Sequence, residues 1–302
     1  VKDPRTSVVV LTHNRPRELT RTLHRLTALP EQPPIIVVDN ASDARVVPVV
    51  LQDFPGVEQV RCERNLGAAG RNLGVARVQT PYVAFCDDDT WWSAGALSRA
   101  AALLDGHAQV GLVSARILVG ESERTDPTCE QMARSPLDSR GLPGPALISF
   151  MAGASIVRCS AYREVGGYEA RLFLGAEEAL MGLDLAARGH RMVYAGDVVT
   201  HHHPSATGRD PTARRIAERR NRLWIAVMRL PWPDACACWQ RFMRESVALG
   251  IAGPVLAQAL RGLPWALDQR RVVPAEVAAM HRCVHGGSGR APAGSFAAPE
   301  RH

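Results

Sequence analysis

Strand-like apolar runs and helical patterns alternate three times before residue 90, and this rhythm limits the fold more than any other feature of the chain. Residues 7–12 (Ser-Val-Val-Val-Leu-Thr) form a continuous β-branched run of the kind that parallel sheets bury. After the turn His13-Asn14-Arg15-Pro16, Leu19, Leu23, Leu26 and Leu29 recur at helical spacing with Arg and Thr between them. Pro30 and Pro33-Pro34 stop that helix. Residues 35–38 read as a second buried strand running into Asp39-Asn40-Ala41-Ser42. A short helix and a third strand at 57–62 follow. Alternation of this kind predicts an α/β fold, a mostly parallel sheet flanked by helices.

The fourth strand, residues 82–86, ends abruptly in Asp87, Asp88 and Asp89. Open α/β sheets place their ligands at the carboxyl ends of strands. Three adjacent carboxylates repel one another unless water or a cation intervenes, and oxygen ligands of this type suit Mg²⁺ or Mn²⁺. A solvated acidic turn is the plain alternative for an isolated triplet. Just upstream, residues 64–74 (Arg-Asn-Leu-Gly-Ala-Ala-Gly-Arg-Asn-Leu-Gly) are small enough to start a helix close to the sheet and to a ligand. The backbone N–H groups of such a helix start favour phosphate. A packing turn would explain the glycines equally well, but it has no need of Arg71.

Further along, residues 93–104 read as a helix with Ser93 as its N-cap, and 109–118 as a strand. Residues 121–145 are polar and rich in Pro and Gly, so a long surface loop is expected. Residues 146–157 return to strand character, with Gly153-Ala154 inside. Glu177 and Glu178 open a helix that Gly189 caps; two acids there also complement the helix dipole. Residues 192–195 and 198–200 read as short strands leading into His201-His202-His203. From residue 212 onward the character changes to Arg-rich and Trp-bearing helical patterns. The expected organisation is therefore an α/β domain at 1–210, a helical appendage at 211–285 and a disordered tail at 286–302.

The chain has 302 residues and a formal net charge of +6, an excess that suits a phosphate-rich ligand or an anionic membrane surface. It is too diffuse to argue for nucleic acid, and no nucleic-acid motif is present. The 7 cysteines are scattered, which fits a reduced, cytoplasmic protein. No signal peptide is expected from the residues ahead of the first strand. The longest charge-free apolar run, residues 247–260, is too short to span a bilayer. The Arg cluster and four Trp residues of the appendage suggest either packing, on the α/β domain or in a homodimer, or peripheral contact with the inner face of a membrane. Packing is the expectation.

The motifs at these strand ends resemble those of the inverting family-2 glycosyltransferases of GT-A fold, over residues 7 to about 203. Residues 8–15 look like the family's opening strand and turn, 37–42 like its second nucleotide-contacting turn. Asn65-Leu66-Gly67 with Arg71-Asn72 is similar to its Asn-x-Gly…Arg-Asn segment, and Asp87-Asp88-Asp89 matches its DxD motif. The resemblance implies transfer of a sugar from a UDP- or dTDP-sugar to an acceptor hydroxyl of a glycan, lipid-linked intermediate or small aglycone. It implies a nucleotide pocket of Thr12, His13, Asn14, Arg15, Asp39, Asn65, Gly67, Arg71, Asp87 and Asp88. Within that pocket Asp39 would accept the base N–H. Asp87, Asp89 and His201 would hold Mg²⁺ or Mn²⁺, and a carboxylate base would fall at Glu178. Glu replaces the family's usual Asp there, which leaves Glu177 as the alternative base.

Three rival readings are distinguishable. A dinucleotide-dependent oxidoreductase needs a Gly-rich turn after the first strand, and residues 12–15 contain no glycine. A nucleotidyltransferase acting on sugar phosphates would need a basic, Gly-rich turn there, to which only Arg15 and Arg17 answer. A catalytically inactive nucleotide-sugar-binding protein is opposed by the intact acids, while Glu178 in place of the family's usual Asp speaks for it.

Overall fold

The computed structural model describes residues 2–205 and 210–285. In chain order the elements are β1 (Thr6–Thr12), α1 (Pro16–Thr27), β2 (Ile35–Asp39), α2 (Val46–Leu51), β3 (Glu58–Arg61), α3 (Gly70–Val75), β4 (Tyr82–Asp87), β5 (Thr90–Trp92), α4 (Ala96–Gly106), β6 (Val110–Val119), β7 (Arg124–Thr125), α5 (Pro127–Ala133), β8 (Ala146–Leu147), β9 (Ser155–Arg158), α6 (Cys159–Val165), α7 (Glu177–Ala187), β10 (Arg191–His202), α8 (Pro211–Arg229), α9 (Trp232–Ala248), α10 (Ala252–Asp268) and α11 (Ala275–His285). The expected tail at 286–302 lies outside the described residues.

Among the described residues the strands form one sheet in the order β3-β2-β1-β4-β9-β6-β10-β5. The first four strands pair in parallel, as the strand–helix alternation requires. Because β2 lies on one side of β1 and β4 on the other, the chain switches direction of travel at β1, and a crevice opens above that point. The register brings Leu11 opposite Asp87 and Thr12 opposite Asp39, so the three strand ends finish level. β9 then runs antiparallel to both β4 and β6, and β10 returns parallel to β6.

The local causes are visible. In β1 and β2 nearly every side chain is buried, which is why their sequences run apolar instead of alternating. Leu19, Leu23, Leu26 and Leu29 are all buried on one side of α1 and its exit. A Cβ on Gly74 would stand 2.6 Å from Val9 Cγ1 and 2.8 Å from Val38 Cγ2, so α3 sits directly on the sheet through that glycine.

Several boundaries depart from the sequence reading. The α4 helix starts at Ala96 behind Gly95, whose φ of 82° only glycine adopts freely; Ser93 bonds His201 Nε2 at 2.8 Å instead of capping it. Residues 121–145 are no plain loop. They hold β7 and α5, and Asp126 caps α5 by accepting the Thr128 N–H at 2.8 Å while Cys129 and Met132 are buried. Short polar helices with one apolar edge leave too weak a period to read. Residues 146–157 break into β8, an irregular stretch and β9, and the two short strands at 192–200 are one irregular strand, β10.

The C-terminal helices pack, as expected, around a second core. Leu180 and Leu183 of α7 meet Leu223, Trp224 and Met228 of α8, and Phe242 and Val255 of α9 and α10. The indole of Trp224 donates to Ala259 O at 2.8 Å, and that of Trp239 to Leu223 O at 3.0 Å. Among the described residues, no helix is long and apolar enough to cross a membrane.

Candidate active site

A cavity of about 930 Å³ opens over the carboxyl ends of β1 and β4. Its wall takes in Thr12, His13, Asn14 and Arg15 after β1, Asn65, Gly67 and Arg71 around α3, and Asp87, Asp88 and Asp89 after β4. Glu177 and Glu178 at the start of α7, and His202 at the end of β10, complete the acid side. A volume of this size suits a nucleotide-sugar.

The three aspartates occupy different environments. Asp87 keeps 33% of its side chain exposed and pairs with Arg71. Gly153 lets the backbone come up against it: a Cβ there would lie 2.8 Å from Asp87 Oδ2. Asp88 is buried, accepts from Thr12 Oγ1 at 2.9 Å and pairs with Arg15 at 3.1 Å. Burial pushes its carboxyl up to about 7 despite Arg15. Asp89 is buried too, 3.2 Å from Arg15 Nη1 and 3.6 Å from His202 Nε2.

Two of the expected site residues are elsewhere. Side chains on a strand alternate faces, so His201 and His202 on β10 point opposite ways. His201 turns from the acids, stacks on Trp91, bonds Ser93 and lies 3.2 Å from Glu123; His202 faces Asp89. The imidazole beside the acids is thus His202. Asp39 is fully buried and does not line the cavity. Its Oδ1 accepts the Ser42 N–H at 2.8 Å and its Oδ2 pairs with Arg61. That leaves no oxygen exposed for a base, because the β2 turn uses the carboxylate to hold itself shut. Asn40 beside it ties the turns together, accepting from the Leu66 N–H at 2.8 Å and donating to Gly67 O at 3.0 Å.

Glu177 and Glu178 face the cavity from an unusual stretch of backbone. Phe173, Gly175 and Ala176 all have positive φ, at 60°, 93° and 64°. For residues other than glycine, such conformations cost about 1–3 kcal/mol each and persist where surrounding contacts enforce them. Glu177 is buried with its Oε2 lacking a hydrogen-bond partner, and Glu178 is half-buried. Burial raises the pKa of both carboxyls; for Glu177 the neighbouring Glu178 raises it further. Arg71, buried beneath them, opposes the rise.

A stability consequence follows. A carboxyl whose folded pKa is raised binds its proton more tightly folded than unfolded, so its contribution is fully present at low pH and is lost as pH rises through the folded pKa. Glu177→Gln removes the buried charge at nearly constant shape. It is expected to raise Tm by several degrees at pH 8 and much less at pH 5; thermal unfolding at the two pH values checks this. An equal change at both would mean that Glu177 carries no charge penalty.

One wall of the cavity comes from α8, which the sequence reading set apart as an appendage. Asp210, Arg214, Glu218 and Arg222 all line it. They recur every fourth residue, the spacing that puts side chains on one helix face; that periodicity marks a polar face but not what the face meets.

A β3-β2-β1-β4 parallel half-sheet, with an acid cluster at its carboxyl edge and a nucleotide-sized cavity above, defines a GT-A-type α/β domain. The chain belongs to Glycosyl transferase family 2, whose profile matches residues 7–166. It is 32% identical over 223 residues to the pre-mycofactocin glycosyltransferase of Mycobacterium tuberculosis, an alignment covering 69% of this chain and 45% of that protein. The chain thus spans about half the length of that relative. It is 25% identical over 281 residues to the N-acetylglucosaminyl-diphospho-decaprenol L-rhamnosyltransferase of the same organism, covering 80% of this chain and 90% of that one. The fold is similar to that of the mannosyltransferase PcManGT of Pyrobaculum calidifontis in complex with GDP-Man and Mn²⁺. The TM-score is 0.53 and the identity 18%, over 97% of this chain and 78% of that one.

Proposed function

We propose that this chain transfers a sugar from a nucleoside diphosphate-sugar to an acceptor hydroxyl by a single in-line displacement with inversion. The observation that carries the reading is the meeting, in one cavity, of the Asp87–Asp89 cluster with a second pair of carboxylates whose burial raises their proton affinity. The first group suits a diphosphate and its cation, the second a proton acceptor.

The donor set fits a divalent metal. Asp89 and His202 stand 3.6 Å apart and both line the cavity, and a carboxylate with an imidazole suits Mn²⁺ over Mg²⁺. Among the described residues no three His, Cys, Asp or Glu side chains form a cage. Metals of this class take one or two protein ligands and complete their shell with phosphate and water. Bound there, the cation would neutralise the leaving diphosphate as a Lewis acid. Asp87 contributes from the exposed side of the cluster, and Arg15 holds Asp88 and Asp89 in place. The solved neighbour with Mn²⁺ and GDP-Man supports a metal-dependent, nucleotide-sugar-using reading.

Glu178 is the proposed base, being the more accessible of the pair, and Glu177 the buried carboxyl behind it. With Asp39 enclosed, recognition of the nucleoside falls to the turns at 12–15 and 65–67. Uridine and thymidine donors remain the proposal. The acceptor is proposed to be a hydroxyl of a glycan or lipid-linked intermediate, for which the decaprenol-named relative gives support. The protein is proposed to act in the cytoplasm, as a monomer or homodimer with at most peripheral membrane contact.

Calorimetry with UDP, dTDP and GDP tests the site, each with Mn²⁺, with Mg²⁺ and with chelator. Binding of UDP or dTDP that weakens markedly in chelator is expected. Affinity unchanged by chelator removes the metal from the proposal, and preference for GDP removes the uridine reading. Release of nucleoside diphosphate from the matching nucleotide-sugar separates a glycosyltransferase from a nucleotidyltransferase, which would instead release pyrophosphate from a nucleoside triphosphate and a sugar phosphate.

A further inference from the structure

Asn221 lies at the centre of α8 with none of its surface exposed, well outside the family-2 match. Its Nδ2 donates to three backbone carbonyls of one loop: Leu172 O at 2.8 Å, Leu174 O at 3.2 Å and Gly175 O at 2.6 Å. Carbonyls only accept, so the amide orientation is dictated by the partners. Its Oδ1 in turn accepts from Arg220 at 3.0 Å and 2.8 Å, and Arg220 also reaches Leu172 O at 3.3 Å. That loop is the left-handed stretch that ends in Glu177 and Glu178. On its other side Phe173 O accepts the Ala68 N–H at 2.7 Å, and Gly67 has room for no Cβ, which would lie 2.0 Å from Phe173 O.

The loop is therefore clamped between the turn at 67–68 and Asn221. A backbone holding two non-glycine residues at positive φ does not keep that shape unaided. We infer that Asn221 is a positioning residue: it fixes the height and direction at which the carboxylates of Glu177 and Glu178 enter the cavity, and so makes α8 part of the reaction machinery. It touches no substrate. The inference rests on the proposed function insofar as turnover is concerned, but the clamp itself does not.

The bond to Leu172 O is buried and those to Leu174 O and Gly175 O are half-buried, so deleting the donor weakens the hold on all three, and replacing the amide by a carboxylate sets oxygen against oxygen. The test compares Asn221→Ala, Asn221→Asp and Asn221→Ser with Val227→Ala, a buried change six residues further along the same helix, where the backbone carbonyl accepts from Arg270. Backbone hydrogen exchange over 172–180 reads the clamp without reference to activity. Exchange there is expected to rise about ten-fold or more in Asn221→Ala and Asn221→Asp, less in Asn221→Ser, and to stay near the parent in Val227→Ala. Turnover is expected to fall at least about ten-fold in the Ala and Asp variants with donor affinity held within about two-fold, as misplacing a catalytic group costs rate more than binding. Loop exchange unchanged in Asn221→Ser and Asn221→Ala overturns the clamp. So does turnover that falls across all four variants merely in proportion to Tm. A parent protein that binds and cleaves no nucleotide-sugar sinks the proposed function instead, and the exchange data still decide the clamp.

Discussion

Asp89→Asn is expected to lower sugar transfer by roughly 10²–10³-fold, the loss usual when one fixed group stabilising developing charge is removed. The side chain is almost fully enclosed and stands between Arg15 and His202, so the amide keeps the shape while removing the charge. Donor affinity in Mn²⁺ is expected to fall to the value that the parent shows in chelator. The chelator itself should then have little further effect on the variant. The fold should survive, because Asp88 still receives Arg15 and Thr12, and its backbone carbonyl still accepts from Thr22 at 2.7 Å. Calorimetry and initial rates measured side by side check this. A variant that still binds donor more tightly with Mn²⁺ than with chelator would remove Asp89 from the proposed ligand set.

Glu178→Gln should separate chemistry from binding. A positioned base contributes roughly 10²–10⁴-fold and acts only as the acceptor hydroxyl loses its proton, so turnover should fall by that order while donor affinity stays within about two-fold. The pH profile carries the same assignment. Burial raises the Glu178 carboxyl above the ordinary range, and a base works only when deprotonated. Turnover of the parent should therefore rise with pH through the raised pKa and fall away on the acid side. The residual rate of Glu178→Gln should lose that acid limb. If Glu177→Gln is crippled instead and Glu178→Gln is nearly normal, the two carboxyls exchange roles. The two interact, so the acid limb belongs to the pair until the variants divide it.

Much of this was legible before any coordinates. Unbroken β-branched runs at 7–12 and 35–38 can be satisfied only by strands buried on both faces, and the helices between them force parallel pairing. Once those strands are parallel, whatever follows their carboxyl ends converges on one edge. Thr12 and Asp87 to Asp89 thus fall together by topology alone. Residue type and strand end are local properties, and the sequence expresses them directly.

What the chain could not declare by itself was direction and enclosure. Whether His201 or His202 meets Asp89 depends on the register of β10 against β5 and β6, where one residue reverses the face. Whether Asp39 is open to a ligand depends on Arg61, 22 positions away, closing over it. The burial that lifts Glu177 and Glu178 comes from elements distant in sequence. The loop that presents them is shaped by Gly67 on one side and Asn221 on the other. The amino-acid sequence determined the α/β sheet, the edge where the candidate site sits and the kinds of group available there. Tertiary structure alone decided which of those groups point inward, which are already spent on each other and that α8 belongs to the site, because these are properties of contacts between segments that no local pattern encodes.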